Sequence, residues 1–294
     1  MLDALVKSAH VSGRTLLFVG AHPDDETFGP GGTLAAYAAA GVRVAYACAT
    51  RGEAGAGDPE HVQGFPGVGE MRWAELACAA KELRLTDVVG LGYRDSGMSG
   101  APDNQHPDAL IRAPLDEVTR RVVGVIRELR PQVVITFDPI GGYRHPDHIA
   151  VHQAAARAFE ASGDPRRFTD CGPAFAAQKL YYHVIPRRLL RVAIRLLPLL
   201  GRDPRRFGRN HDIDLVSLTT VDFPVHARIR VGREAAARKG RASACHRSQL
   251  SGGPPRSGFR GVIARMLGRV DCYMRAYPPA ASGLRERDLF EGVV

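Results

Sequence analysis

The apolar residues of the first 160 positions fall into two alternating rhythms. Short, mostly apolar runs at 15–20, 42–49, 87–92 and 133–137 include several β-branched side chains, the pattern of strands buried on both faces. Between them, apolar residues recur three and four apart. The segment from about 31 to 40 is alanine-rich and stops at Gly41. Residues 70–83 carry Met71, Ala74, Leu76, Ala77, Ala80 and Leu83 at helical spacing, and residues 115–129 place Val118, Val122, Val125, Ile126 and Leu129 on one face. A further helix is expected at 146–161, and a Gly-rich loop at 51–69. Strands alternating with helices across short crossovers predict an α/β fold whose mostly parallel sheet is covered on both faces, a three-layer sandwich.

After residue 163 the rhythm changes. A strand is expected at 179–185, an extended piece at 217–225, a helix at 226–244 and a flexible loop at 252–257. Residues 187–209 are basic and leucine-rich. Arg188, Arg191 and Arg195 can share one helical face, Leu189, Val192, Leu196 and Leu200 supply apolar contacts, and Pro198 and Gly201 interrupt the pattern. Residues 1–165 are thus expected to form the core, and 166–294 a C-terminal elaboration of the same domain with a lid-like insertion at 187–209.

Composition changes this picture little. Apolar residues at 45% and charged residues at 24% are ordinary for a globular chain. The first fourteen residues contain no apolar run with a small-residue cleavage site, and no stretch approaches a membrane span, so a cytoplasmic location is expected. The five cysteines are scattered with no C-x-x-C pair, which argues against a disulfide framework and against a thiolate zinc site. The formal charge of +9 comes from arginine, mostly in the C-terminal half. It suggests weak, salt-sensitive attraction to polyanions rather than specific nucleic-acid recognition. The 187–209 segment also has a composition suited to contact with a membrane surface, although a lid or subunit contact suits it better. A homo-oligomer is expected.

The candidate chemistry lies in two strings, each just past an expected strand. The first is Ala21-His22-Pro23-Asp24-Asp25-Glu26, and the second is His145-Pro146-Asp147-His148. In open α/β sheets, loops at the carboxyl ends of strands line the ligand crevice, so two distant strings can converge. Imidazoles and carboxylates in that number can hold a divalent cation and leave a base free for hydrolysis. Adjacent Asp24 and Asp25 point apart on an extended loop. Pro146 fits a first helical turn, which brings His145 and His148 to the helix start. His152, four residues beyond His148, is expected to pack rather than ligate, because no glutamate follows His148 as in a zinc-peptidase string. Glu26 is expected to be a supporting partner, and Asp138 either orients a neighbour or ends a strand. Gly29-Pro30-Gly31-Gly32 lacks the pattern of a nucleotide cradle and suits close packing.

These strings, in the order Ala-His-Pro-Asp-Asp-Glu and then Gly-Tyr-x-His-Pro-Asp-His, resemble the LmbE-like/PIG-L deacetylase family. The resemblance is good over about 15–161 and weaker around Lys239, Ala242 and His246-Arg247-Ser248-Gln249. It implies a Rossmann-like fold and N-deacetylation of an N-acetylglucosamine-type sugar or conjugate. It also implies His22, Asp25 and His148 as metal ligands, with Asp24 as general base toward the attacking water. His145 would stabilise or protonate the tetrahedral intermediate, with Asp147 orienting it, and Tyr143 would assist at the oxyanion. Arg72, Asp95 and Met98 would contact substrate. Zn²⁺ is the expected ion, and two imidazoles with one carboxylate also suit Fe²⁺. Arg144 stands where relatives often have glycine. Two other readings stay open: an amidase acting on a larger thiol-sugar conjugate at the same centre, and a non-catalytic metal- or sugar-binding module.

Overall fold

The computed structural model describes residues 3–7, 13–55, 57–206, 213–250 and 269–294. Eight strands form one sheet in the order β1-β4-β3-β2-β5-β6-β8-β7. They are β1 (Asp3–Lys7), β2 (Thr15–Gly20), β3 (Arg43–Thr50), β4 (Asp87–Tyr93), β5 (Val133–Phe137), β6 (Lys179–His183), β7 (Ala227–Arg230) and β8 (Val270–Tyr277). The five central strands, β4-β3-β2-β5-β6, pair in parallel, and the outer strands β1, β8 and β7 are antiparallel. Every residue of β2 and β5 is buried, as their unbroken apolar runs require.

The helices take their faces from the hand of the crossovers. From β2 the chain moves outward through α1 (Asp25–Phe28) and α2 (Gly31–Ala39) to β3, then through α3 (Pro59–Val62) and α4 (Val68–Leu83) to β4. It returns through α5 (Leu115–Leu129) to β5, and continues through α6 (Gly141–Arg144) and α7 (Pro146–Ser162) to β6. Right-handed connections running in opposite directions put α2 and α4 on one face and α5 and α7 on the other. The late helix α9 (Arg233–Cys245) packs on α2 and α4. This is the expected three-layer α/β architecture. Strand order reverses between β2 and β5, so the two strings emerge side by side at the switch point.

The C-terminal half differs from expectation. Residues 226–244 are not one helix. Ala227 and Ile229 of β7 point inward and Arg228 and Arg230 outward, a period-two pattern that the helical reading overran; α9 starts only at Arg233. Residues 217–220 form a 3₁₀ turn rather than an extended piece. Strands β1 and β8 were not anticipated. Within 187–209, α8 (Arg187–Leu196) precedes a 3₁₀ turn at Pro198–Leu200, and 207–209 lie outside the described residues, as does the 252–257 loop.

The cysteine expectation is also corrected. Cys78 on α4 and Cys245 at the end of α9 form a disulfide across 167 residues of sequence. Local spacing cannot reveal such a pair, because helix packing alone brings the two together. Thiol titration of the denatured protein should therefore count the three free cysteines before reduction and all five after it. Five at the outset would refute the bond.

Candidate functional site

The loop after β2 is folded tightly on itself. Asp25 Oδ2 accepts the backbone N–H groups of Ala21 (2.9 Å) and His22 (2.7 Å), and the Tyr46 hydroxyl donates to the His22 carbonyl at 2.7 Å. Asp25 therefore faces back over the strand end beside His22. Asp24 sits at φ 132°, ψ −23°, in a region that L-residues rarely occupy. Asp24 then leads into the single turn α1 (Asp25–Phe28).

After β5, the Asp138 carboxylate accepts from the N–H groups of Ile140 (3.1 Å) and Gly142 (2.9 Å), so this residue shapes a turn. Gly141 in that turn has φ 66°, and a Cβ there would come within 2.9 Å of the His148 Cβ. Only glycine lets the turn lie on the helix start. The turn delivers Tyr143 and His145, and Pro146 opens α7 with Asp147 and His148 in its first turn. The His148 ring stacks on Phe137 with centroids 3.9 Å apart. His152 is turned elsewhere, with Nδ1 2.9 Å from the Phe137 carbonyl.

The two loops meet. His22 Nδ1 lies 3.1 Å from His148 Nε2, Asp25 Oδ1 lies 3.4 Å from His148 Nε2, and Asp25 Oδ2 lies 3.7 Å from His22 Nδ1. Donors bonded at about 2.0–2.1 Å to one tetrahedral ion stand roughly 3.3 Å apart, so the set fits a zinc-sized cation. His22, His145 and His148 also form a close three-donor grouping, as do His22, Asp95 and Asp147. The second grouping engages the opposite nitrogen of His22. Its Nε2 is 3.1 Å from Asp147 Oδ2 and 3.4 Å from Asp95 Oδ1, contacts that orient the ring.

The electrostatics follow from burial among four carboxylates. Burial alone would lower the pKa of His22, but Asp95, Asp147 and Asp25 outweigh it and raise it well above its ordinary value. Burial raises Asp25 and Asp147 against the opposing pull of His22. Asp95 is also buried, yet His22 beside it brings its carboxyl far below the usual range. Burial pushes Asp24 up to about 6, with Arg72 opposing. Burial, reinforced by the neighbouring imidazoles, holds His145 and His148 neutral.

Some expected contacts take a different form. The Asp147 carboxylate does not orient His145; it accepts from the Ser96 N–H (2.9 Å) and meets His22. The backbone N–H of Asp147 instead donates to His145 Nδ1 at 3.2 Å, which leaves Nε2 to carry the proton in the neutral ring. Arg72 is 4% exposed, and its guanidinium donates to the carbonyls of Pro23 (2.8 Å) and Gly52 (3.0 Å) and to Asp24 Oδ2 (3.2 Å). It is a clamp on the Asp24 loop. Tyr143 is half-buried, its ring 4.9 Å from that of His148. Met98 follows Asp95 on the loop after β4. Arg144 is exposed at φ 66° and reaches Thr220 Oγ1 at 3.4 Å.

Three supporting contacts were not predicted from the sequence. Glu53 Oε2 accepts the Asp95 N–H at 3.0 Å, Ser96 holds Asp147, and His246 meets Glu26 at 2.7 Å. Glu53 stands in a Gly-rich loop with no periodicity to mark it, and Ser96 acts through its backbone. His246 lies in the late string of the resemblance, but its partner Glu26 is 220 residues away in sequence.

Fold and site together define a metal-dependent hydrolase of the Rossmann-like α/β class. Residues 17–159 match the family described as PIG-L, GlcNAc-PI de-N-acetylase. The chain is 37% identical, over 96% of its own length and 90% of the relative's, to the 1D-myo-inositol 2-acetamido-2-deoxy-alpha-D-glucopyranoside deacetylase of Streptomyces scabiei. It is 38% identical to the protein of the same name from Geodermatophilus obscurus, over 95% and 98% of the two lengths. In fold it is similar to the N,N'-diacetylchitobiose deacetylase of Pyrococcus horikoshii, with a TM-score of 0.60, 19% identity and coverage of 89% and 83%. The chain belongs to the PIG-L family and is an N-deacetylase.

Proposed function

We propose that the chain removes the acetyl group from an N-acetylglucosamine unit carried on a cyclitol, as the names of its relatives at 37–38% identity indicate for those proteins. The observation that carries the chemistry is the convergence of His22 Nδ1, His148 Nε2 and Asp25 within 3.1–3.7 Å, with Asp24 beside them. In this reading those three residues hold Zn²⁺, which when bound supplies Lewis acidity at the acetamide and acidifies water. Asp24, the most accessible carboxylate of the group, takes the proton of the attacking water. The His145 Nε2–H donates to the oxyanion as the carbonyl becomes tetrahedral, with Tyr143 on the same side. On collapse, the C–N bond breaks, the proton held by Asp24 goes to the amine, and acetate leaves. Asp95 and Asp147 steady His22, and Arg72 steadies Asp24.

The reading includes a cytoplasmic site of action on a small-molecule substrate. Among the described residues no helix is long and apolar enough to cross a membrane. The Cys78–Cys245 bond would then have to persist in a reducing thiol pool.

Acetate release tests the proposal. The zinc-loaded protein is assayed on the α-linked N-acetylglucosaminyl-myo-inositol, on free N-acetylglucosamine and on N,N'-diacetylchitobiose. The inositol glycoside should be preferred in kcat/KM by on the order of tenfold or more, because hydroxyl contacts to the cyclitol would be lost with the other two. Equal or better turnover of the other two would overturn the cyclitol assignment. Cleavage of a larger amide conjugate without acetate release would replace the whole reading.

A further inference from the structure

We propose that His246 and Glu26 are positioning residues for the deacetylation, forming a buried strut that holds the Asp24 peptide in its strained conformation. The inference rests on Asp24 as the base. Glu26 and His246 are fully buried, and His246 Nε2 donates to Glu26 Oε1 at 2.7 Å. The other oxygen, Oε2, accepts the backbone N–H of Asp24 at 2.9 Å. This is the residue at φ 132°. The Asp24 carbonyl accepts from the N–H groups of Thr27 (2.9 Å) and Phe28 (2.8 Å), and its carboxylate is held by Arg72. Each polar group of Asp24 thus has a named anchor, and the amide anchor is the Glu26 carboxylate.

A buried carboxylate needs donors of its own to stay in place. Glu26 receives Thr27 Oγ1 from its own turn, and His246 from the C-cap of α9, 220 residues away in sequence. His246 is fixed in turn. Cys245 before it is bonded to Cys78 on α4, and Ser248 after it donates through N–H (2.8 Å) and Oγ (2.7 Å) to the Glu75 carboxylate, also on α4. Lys239, on the same helix, donates to the Gly29 carbonyl at 3.0 Å, just beyond α1. The end of α9 is therefore locked to the element that carries Arg72 and to the loop that carries Asp24. Strain of this kind persists only where surrounding structure over-determines it. Without the strut the Asp24 peptide can rotate toward an ordinary conformation and carry the carboxylate off line. A misplacement of about 1 Å costs roughly a hundredfold in rate.

The test uses His246→Leu, His246→Gln and Asp24→Asn in the full-length protein, with Co²⁺ loaded in place of zinc as a spectroscopic probe. His246→Leu should lower kcat by about ten- to a hundredfold, with KM and the cobalt absorption spectrum unchanged. His246→Gln, whose amide can donate from nearly the same place, should recover most of the loss. His246→Leu added to Asp24→Asn should cost nothing further, because the strut acts through Asp24 alone. A crystal structure of the leucine variant should show the Asp24 φ relaxed. That readout needs no turnover and separates failure of the strut from failure of the deacetylase reading. The strut is refuted by an unaltered Asp24 conformation, by glutamine and leucine variants equally impaired, or by losses that add in the double variant.

Discussion

Asp24→Asn is expected to lower kcat by about a thousandfold, within the range for loss of a positioned general base, while metal content and KM stay close to wild type. Asparagine keeps the shape and can still accept from Arg72 through its amide oxygen, so the clamp and the strained loop survive. What it cannot do is take a proton. Asp24 suits that task because burial pushes its pKa up to about 6, with Arg72 opposing. The sign of the pH effect follows directly. Above that pKa the carboxylate is ionised and ready; as pH falls through it the base is protonated and turnover declines. A cation held by the adjacent Asp25 favours the ionised form further, so the acid limb of kcat/KM should lie at or below about 6 in the loaded enzyme. Asp24→Asn should lack that limb. A variant that retains near wild-type kcat with full metal content would remove Asp24 from the chemistry.

The residues that were legible in the sequence share a physical reason. His22, Asp24 and Asp25 sit on one short loop at the end of a wholly apolar strand, and His145 to His148 straddle a helix start marked by proline. Both lie where the alternation of strand and helix puts a crevice. The parallel core was equally plain, since strands buried on both faces show as unbroken apolar runs. The outer strands were not. In β7 only Ala227 and Ile229 face inward, too short an alternation to stand against the helical pattern that follows it. The Cys78–Cys245 bond, the His246–Glu26 pair and the Asp147–His22 contact join positions 125 to 220 residues apart, and no local pattern encodes them. The same limit explains Asp147. Its neighbour in sequence is His145, but the first turn of α7 aims its carboxylate across the cleft at His22. Arg72 was expected to contact substrate only because the family resemblance implies it. Its two terminal nitrogens donate to the Gly52 and Pro23 carbonyls and to Asp24, which makes it part of the frame that holds the base.

Removal of the cation should abolish turnover, and His148→Ala should do so even in excess zinc. The two imidazole nitrogens that face each other at 3.1 Å, with the Asp25 carboxylate beside both, are a costly arrangement without positive charge between them. Asp25, Asp95 and Asp147 are buried together, with Asp24 at their edge and Arg72 as a fixed counter-charge. In the metal-free protein a proton on His22 relieves part of this, which is why its pKa stands well above the ordinary value despite burial. A cation must displace that proton, so zinc binding should release protons and strengthen as pH rises. Binding to the folded state alone raises stability by about 2.7 kcal/mol at a hundredfold excess over Kd. Titrating zinc into chelated wild type should therefore raise Tm, more at pH 8 than at pH 6, and restore acetate release in parallel. His148→Ala should show neither response, since it leaves one imidazole and one carboxylate to hold the ion. Undiminished turnover after exhaustive chelation, or a His148→Ala protein that binds zinc as tightly as wild type, would dismantle the assignment of these three ligands.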